Sequence, residues 1–298
     1  MSPIAFHIGD FAVRWYGILI TVGIIAGIAI AYFRCKHYGL TKNDLYDLGF
    51  LVIIVGIIGA RAVYILSNLP YFMANPGEII TLQMSGLAFI GIIIFNIPAV
   101  WIFAKLRKLD YWRILDLAAP SIAIGYFFGR LGCFMNGCCY GPESTCCGII
   151  MKGTGLQTPV FPTQLLNALL AIIIFIVLYY FATKKTFFKG WLFVMFLYLY
   201  SLSSFATEFL RADPGHQPVW HTPFNPAQWG DLLAIAVAVV LHIVLRKGKE
   251  LSTVSDEQVK IIEQKDNPKL AMKAPSADET QKPEEPQAEP ENKDKEDK

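Results

Sequence analysis

The constraint that decides most about this chain is a succession of long apolar runs. They fall at about residues 14–33, 45–66, 84–104, 114–129, 163–183, 190–210 and 229–246. At about 1.5 Å of rise per residue, runs of this order cover a hydrocarbon core, and there a helix is the structure that satisfies its own backbone within one segment. The expected fold class is all-α: a polytopic integral membrane protein with about seven transmembrane helices. A hydrophobic content of 54% against 17% charge excludes an ordinary soluble domain.

The short loops predict the orientation, because Lys and Arg accumulate on the cytoplasmic side. Arg34, Lys36 and Lys42 follow the first run, Lys105, Arg107, Lys108 and Arg113 the third, Lys184, Lys185 and Lys189 the fifth, and Arg246, Lys247 and Lys249 the seventh. Residues 67–83 contain no Lys or Arg. The N-terminus is expected outside and the C-terminus in the cytoplasm. The first run lacks a basic stretch before it and a small-residue cleavage site, so it reads as a retained span. Two regions are predicted, a membrane domain over 1–247 and a disordered charged cytoplasmic tail over 248–298, which is too polar to offset the entropy of folding. The net charge of +2 gives no indication of a nucleic-acid partner.

Ionisable groups inside the membrane are costly and mark function or helix contacts. Tyr200, Ser204, Glu208 and Arg211 recur at helical spacing on one face, and Thr163, Gln164 and Asn167 share a side of the fifth run. Arg61, Arg130 and Arg211 stand near the outer ends of their spans, where a guanidinium fork suits a lipid phosphate. The alternative for two of them is internal pairing, Arg211 with Glu208 and Arg61 with a carbonyl. In residues 129–141 the glycines Gly129, Gly132, Gly137 and Gly141 are expected to bend the backbone toward an anionic headgroup, with Asn136 as a neutral partner.

Cys133, Cys138, Cys139, Cys146 and Cys147 lie in one outward loop, and Cys35 on the inner side. One or two disulfides pinning the loop are the favoured reading outside the cell, with Cys138 or Cys139 joined to Cys146 or Cys147 as the nearest candidates. Free or metal-bound thiols are the alternative, although the spacing matches no zinc pattern. No metal or cofactor is expected. His216, His221, Trp220 and Trp229 read as a headgroup-level belt.

At these residues the chain resembles the prolipoprotein diacylglyceryl transferase family. The family signature Gly-Arg-x-Gly-Asn-Phe-x-Asn-x-Glu-x-x-Gly is matched at Gly129, Arg130, Gly132, Phe134, Asn136 and Gly141. The likeness extends through Trp15-Tyr16-Gly17, Gly59-Ala60-Arg61-Ala62-Val63-Tyr64, Asp116, Pro120, Pro162-Thr163-Gln164-Leu165, Glu208-Phe209-Leu210-Arg211 and Gln228, so that residues 8–247 are covered. The resemblance implies a bacterial inner-membrane enzyme that moves diacylglyceryl from phosphatidylglycerol to the lipobox cysteine of a prolipoprotein, with membrane lipids around it. It implies catalytic roles for Arg130, Glu208 and Tyr16. It implies substrate binding by Arg61, Gly129, Gly132, Asn136, Gly141, Gln164 and Arg211. The chain departs from the family at Cys133 and Cys138 (Asn and Glu in the signature), Ile90 (a functional His), Asn167 (Glu) and Ser204 (Arg). Two other function classes fit these departures: an inactive relative that binds phospholipid or a membrane partner, and a thiol-redox membrane protein.

Overall fold

The computed structural model describes residues 3–9, 11–80, 89–151, 158–183, 187–213, 218–219, 222–248 and 250–267. A short antiparallel hairpin, β1 (Ile4–Ile8) and β2 (Phe11–Arg14), pairs Ile8 with Phe11 and Ile4 with Arg14 through a bulge. It leads directly into α1 (Trp15–Arg34). The long helices α2 (Lys42–Ser67), α4 (Phe89–Arg107), α5 (Tyr111–Asn136), α6 (Thr163–Ala182), α7 (Trp191–Glu208) and α8 (Pro226–Arg246) follow, with a short α3 (Leu69–Ala74) after α2. Six of the described helices are long and apolar enough to cross a membrane. The seventh expected span, α7, has 18 residues and carries Trp191, Tyr198, Tyr200, Ser201, Ser203, Ser204, Thr207 and Glu208, which lower its hydropathy. Large apolar side chains such as Ile25, Phe33, Phe50, Ile58, Ile97, Leu202 and Val240 are exposed on the outer faces, as a lipid-facing surface requires.

The helix ends follow their sequence signals. Thr41 and Asp44 form a reciprocal capping box for α2, Asn225 and Gln228 form another for α8 with Pro226 in its first turn, and the Asp110 carboxylate accepts from the amides of Trp112 and Arg113 at α5. At the far end of α5, Gly137 takes the left-handed conformation (φ +73°) that closes a helix at little cost only for glycine.

α5 is the central helix, packed along α1, α6 and α7, while α2 pairs with α4 and α7 with α8. Small residues set these approaches. A Cβ on Gly27 would lie 3.1 Å from the Ser121 carbonyl, and one on Gly91 only 2.2 Å from the Gly59 carbonyl, so α2 and α4 cross backbone to backbone. The main core, including Tyr38, Leu40, Leu45, Ile114, Leu178 and Leu192, occupies the end of the bundle where α1 finishes and α5 begins. Here Arg34 donates to the Ala182 carbonyl that ends α6, and its guanidinium lies 5.4 Å from the Tyr179 ring.

The same end corrects the expectation of disorder from residue 248 onward. Residues 256–266 form α9 (Asp256–Asp266), with Val259 and Ile262 buried. Lys36 pairs with Glu263, and the Lys42 amide donates to Asp266 at 3.1 Å. Lys189 Nζ lies 2.8 Å from Asp110 Oδ2 and 2.7 Å from Glu250 Oε2. Buried Asp116 accepts from the Gly190 amide and the Ser252 hydroxyl, each at 2.6 Å, and from the Phe193 amide at 3.0 Å. The segment is polar in sequence but finds its partners on the bundle. Residues 268–298, and His216, Trp220 and His221 of the expected aromatic belt, lie outside the described residues.

Candidate functional site

Chain alternation brings Tyr16, Arg61, Arg130, Gln164, Glu208, Arg211 and Gln228 to the end of the bundle opposite the main core. Arg130 sits on the penultimate turns of α5, which continues unbroken to Asn136. Gly129 and Gly132 are therefore helical, and the expected sharp bend is confined to Gly137. Gly132 admits the Tyr16 ring, because a Cβ there would lie 3.0 Å from Tyr16 Cδ2. Gly141 makes its close approach to protein: a Cβ would lie 2.7 Å from the Leu210 carbonyl.

Arg130 Nε donates to Tyr126 Oη at 2.8 Å and its guanidinium covers the Tyr126 ring at 4.9 Å. Tyr126 in turn meets Tyr200 edge to face at 5.0 Å. Among the described residues, no protein acceptor takes the terminal nitrogens of Arg130. Arg130 also lies within electrostatic reach of Cys133 and Cys139.

Arg211 and Arg61 are disposed differently. Arg211 forks onto Asp213 through Nε and Nη2, both at 2.9 Å, and Nη1 reaches Glu208 Oε1 at 2.8 Å. The second oxygen of Glu208 accepts from Asn225 Nδ2 at 3.0 Å. The internal-pairing alternative describes this buried network, in which each oxygen of Glu208 accepts a hydrogen bond. Arg61 donates to the Glu78 carbonyl at 2.8 Å, with the Phe72 ring 5.5 Å away.

The turn beyond α5 is held from α6. Gln164, fully buried, donates to the Cys138 carbonyl at 2.6 Å, and Thr163 donates to the Cys139 carbonyl. Gly141 N bonds to Phe161 O at 2.9 Å, and Ala212 N to Tyr140 O at 3.0 Å, tying the same turn to the start of α6 and the end of α7. Asn136, at the last position of α5, is exposed. No disulfide joins the six cysteines. Cys133, Cys138 and Cys139 place their sulfurs within 4.8 Å of one another, while Cys146 and Cys147 are exposed and meet each other at 3.3 Å. The expected pairing between these two groups is absent because Gly137 turns Cys138 and Cys139 back toward Cys133. Hydrogen bonds from the Cys133 thiol, and then from Cys139, bring the Cys138 thiol below its usual range.

Of the departures noted in sequence, Asn167 accepts from Thr207 Oγ1 at 2.8 Å inside the α6–α7 contact, and Ile90 is exposed beside the Gly91 crossing. Ser204 is buried and faces Asp231. Asp231 is a residue that the sequence reading did not single out. It is buried on α8, one of its oxygens has no hydrogen-bond partner, and it lies within reach of Arg130 and Glu208. Its one signal in sequence was a lone acid in the first turns of the last apolar run. Tyr126, hidden among apolar neighbours, had none.

A family model described as prolipoprotein diacylglyceryl transferase matches residues 3–244. A phosphatidylglycerol-prolipoprotein diacylglyceryl transferase of Clostridium botulinum strain Langeland is 35% identical over 224 residues, covering 72% of this chain and 86% of the relative. One from Clostridium kluyveri is 32% identical over 268 residues, covering 84% of this chain and all of the relative.

Proposed function

Because the chain belongs to the prolipoprotein diacylglyceryl transferase family, we propose that it moves the diacylglyceryl group of phosphatidylglycerol onto the lipobox cysteine of a prolipoprotein, in lipoprotein biosynthesis. The observation that carries this reading in the structure is the Arg130 fork, oriented by Tyr126 and without a protein acceptor on its outer edge among the described residues. A phosphodiester that becomes a phosphate monoester gains negative charge as its carbon–oxygen bond breaks. A preorganised guanidinium stabilises that charge more than it stabilises the starting lipid.

The protein is a multi-pass membrane protein. Its placement in a bacterial inner membrane, with the Arg130 end facing outward, is supported by the basic residues Lys36, Lys42, Lys105, Arg107, Lys189 and Arg246, all at the opposite end. Asp231 supplies counter-charge to Arg130 from α8, and Tyr16 walls the thiol-bearing turn opposite Gly132.

The test is expression in a bacterium depleted of its own transferase, followed by the size and lipid content of a reporter prolipoprotein. Restored lipidation is expected. Unprocessed precursor in a strain that accumulates the folded protein would refute the reading and favour a phospholipid-binding relative.

A further inference from the structure

We propose that Cys133, Cys138 and Cys139 are the three protein ligands of a zinc ion whose fourth position takes the sulfur of the incoming lipobox cysteine. This deepens the transferase reading and rests on it for the identity of the fourth ligand.

Geometry comes first. The three sulfurs lie within 4.8 Å of one another. Adjacent cysteines on an ordinary backbone direct their side chains apart. Here Gly137 and Cys139 both take left-handed conformations, at φ +73° and +64°, in the turn that brings the three sulfurs together. A left-handed non-glycine residue is strained and persists where its surroundings impose it, commonly at functional positions. The surroundings are visible: Gln164 and Thr163 hold the carbonyls of Cys138 and Cys139 from a separate helix. The thiols are thus set on a braced turn, as a metal centre requires.

The ligand count and the charge fit an open site. Structural zinc closes with four protein ligands, whereas catalytic zinc keeps three and an exchangeable position. Cys146 and Cys147 are turned to one another and do not complete the set. Three thiolates and Zn²⁺ leave one negative charge, and Cys139 lies within electrostatic reach of both Arg130 and Arg211. Soft thiolate ligands select zinc or copper(I) over hard cations, and zinc carries no redox chemistry into an alkyl transfer.

The chemistry supplies the remaining reason. The substrate must react as a thiolate, and a carboxylate held in hydrogen bonds by Arg211 and Asn225 is a weaker proton acceptor than a free one. A metal-bound thiol is deprotonated outright. On binding, the S–H proton leaves to water. The sulfur pair then forms the carbon–sulfur bond to the glyceryl carbon as the carbon–oxygen bond to phosphorus breaks, and the electron pair departs on the phosphate oxygen beside Arg130. The thioether product is a poor ligand and leaves the metal unchanged.

The experiment uses the full chain in lipid nanodiscs under reducing conditions, loaded with zinc for metal analysis and with cobalt(II) for spectroscopy. Expected are about one metal per chain and a thiolate-to-cobalt charge-transfer band, with Cys133→Ser, Cys138→Ser and Cys139→Ser each losing at least ~10-fold in metal affinity and Cys146→Ser unchanged. Cys138→His, which keeps a ligand, should retain metal with a shifted band even if the serine variants fold poorly. A lipobox peptide should perturb the cobalt spectrum, and the same peptide with serine for cysteine should not. Wild-type protein that binds no zinc, metal retained by the triple serine variant, a disulfide within the trio in freshly isolated protein, or a spectrum blind to the peptide thiol would each overturn the proposal. The cobalt readout needs no turnover, so failed lipid transfer with an intact peptide-sensitive spectrum counts against the transferase reading alone.

Discussion

Arg130 and Arg211 show how one residue type divides into two duties at the same end of the bundle. Arg130 spends one donor on Tyr126 and meets no other acceptor among the described residues, whereas Arg211 is held by Glu208 and Asp213. Arg130→Lys keeps the charge but loses both the bond to Tyr126 and the planar fork, so kcat/KM for lipid transfer should fall roughly 10- to 100-fold, with Arg246→Lys as an inert control. Arg211→Ala leaves Glu208 and Asp213 facing one another in a site where the Arg211 and Glu208 side chains are 8% and 4% exposed. It should cost about 3–5 kcal/mol of stability, read as a large drop in thermal midpoint in detergent; an unchanged midpoint would show the network to be dispensable. Sequence spacing placed Glu208 and Arg211 on one helix face, and that much was legible. How each arginine is held was not, because the answer lies with Asp213, beyond the helix, and with Tyr126, one turn before Arg130.

At the level of elements, hydrophobic run length located the helices and glycine chemistry determined how they meet. α2 and α4 cross at Gly59 and Gly91, where an added Cβ on either would strike the other's carbonyl. Gly91→Ala should therefore destabilise the protein by roughly 1–3 kcal/mol through overpacking. Gly230→Ala, with nothing within 4 Å, should be neutral or stabilising; equal effects from the two would contradict a backbone-to-backbone crossing. The apolar run at about 114–129 stops short of Arg130, whereas α5 spans Tyr111–Asn136. Asp116 and Arg130 are both interior to it, one satisfied by two amides and a hydroxyl, the other by a tyrosine. The polar segment after residue 248 hides its helix for another reason. Its eleven-residue helix buries only Val259 and Ile262, too faint a periodicity to outweigh its charge, and its stability comes from the bundle end it covers.

For the whole molecule, the two ends differ in what holds them. The end bearing α9 is laced by carboxylates. Burial pushes the Asp110 carboxyl up, but the Lys189 ammonium and then Arg113 outweigh it, and the net shift is downward; the bond from Lys36 lowers Glu263. Carboxylates depressed in the folded state contribute stability that is present above their unfolded values and lost as pH falls through the folded ones. Below about pH 4, hydrogen-exchange protection across residues 250–267 should collapse before that of α5 and α6; simultaneous loss would mean that α9 is not a separable unit. The bond between Asp116 and Ser252 joins residues 136 positions apart in sequence. A ribosome exposes Asp116 long before it has made Ser252, so the growing chain inserts its central helix with one carboxylate oxygen still waiting for that hydroxyl. Sealing of this end is therefore timed by translation itself, and a nascent chain stalled just past α8 would sit in the membrane fully threaded yet still open at its base.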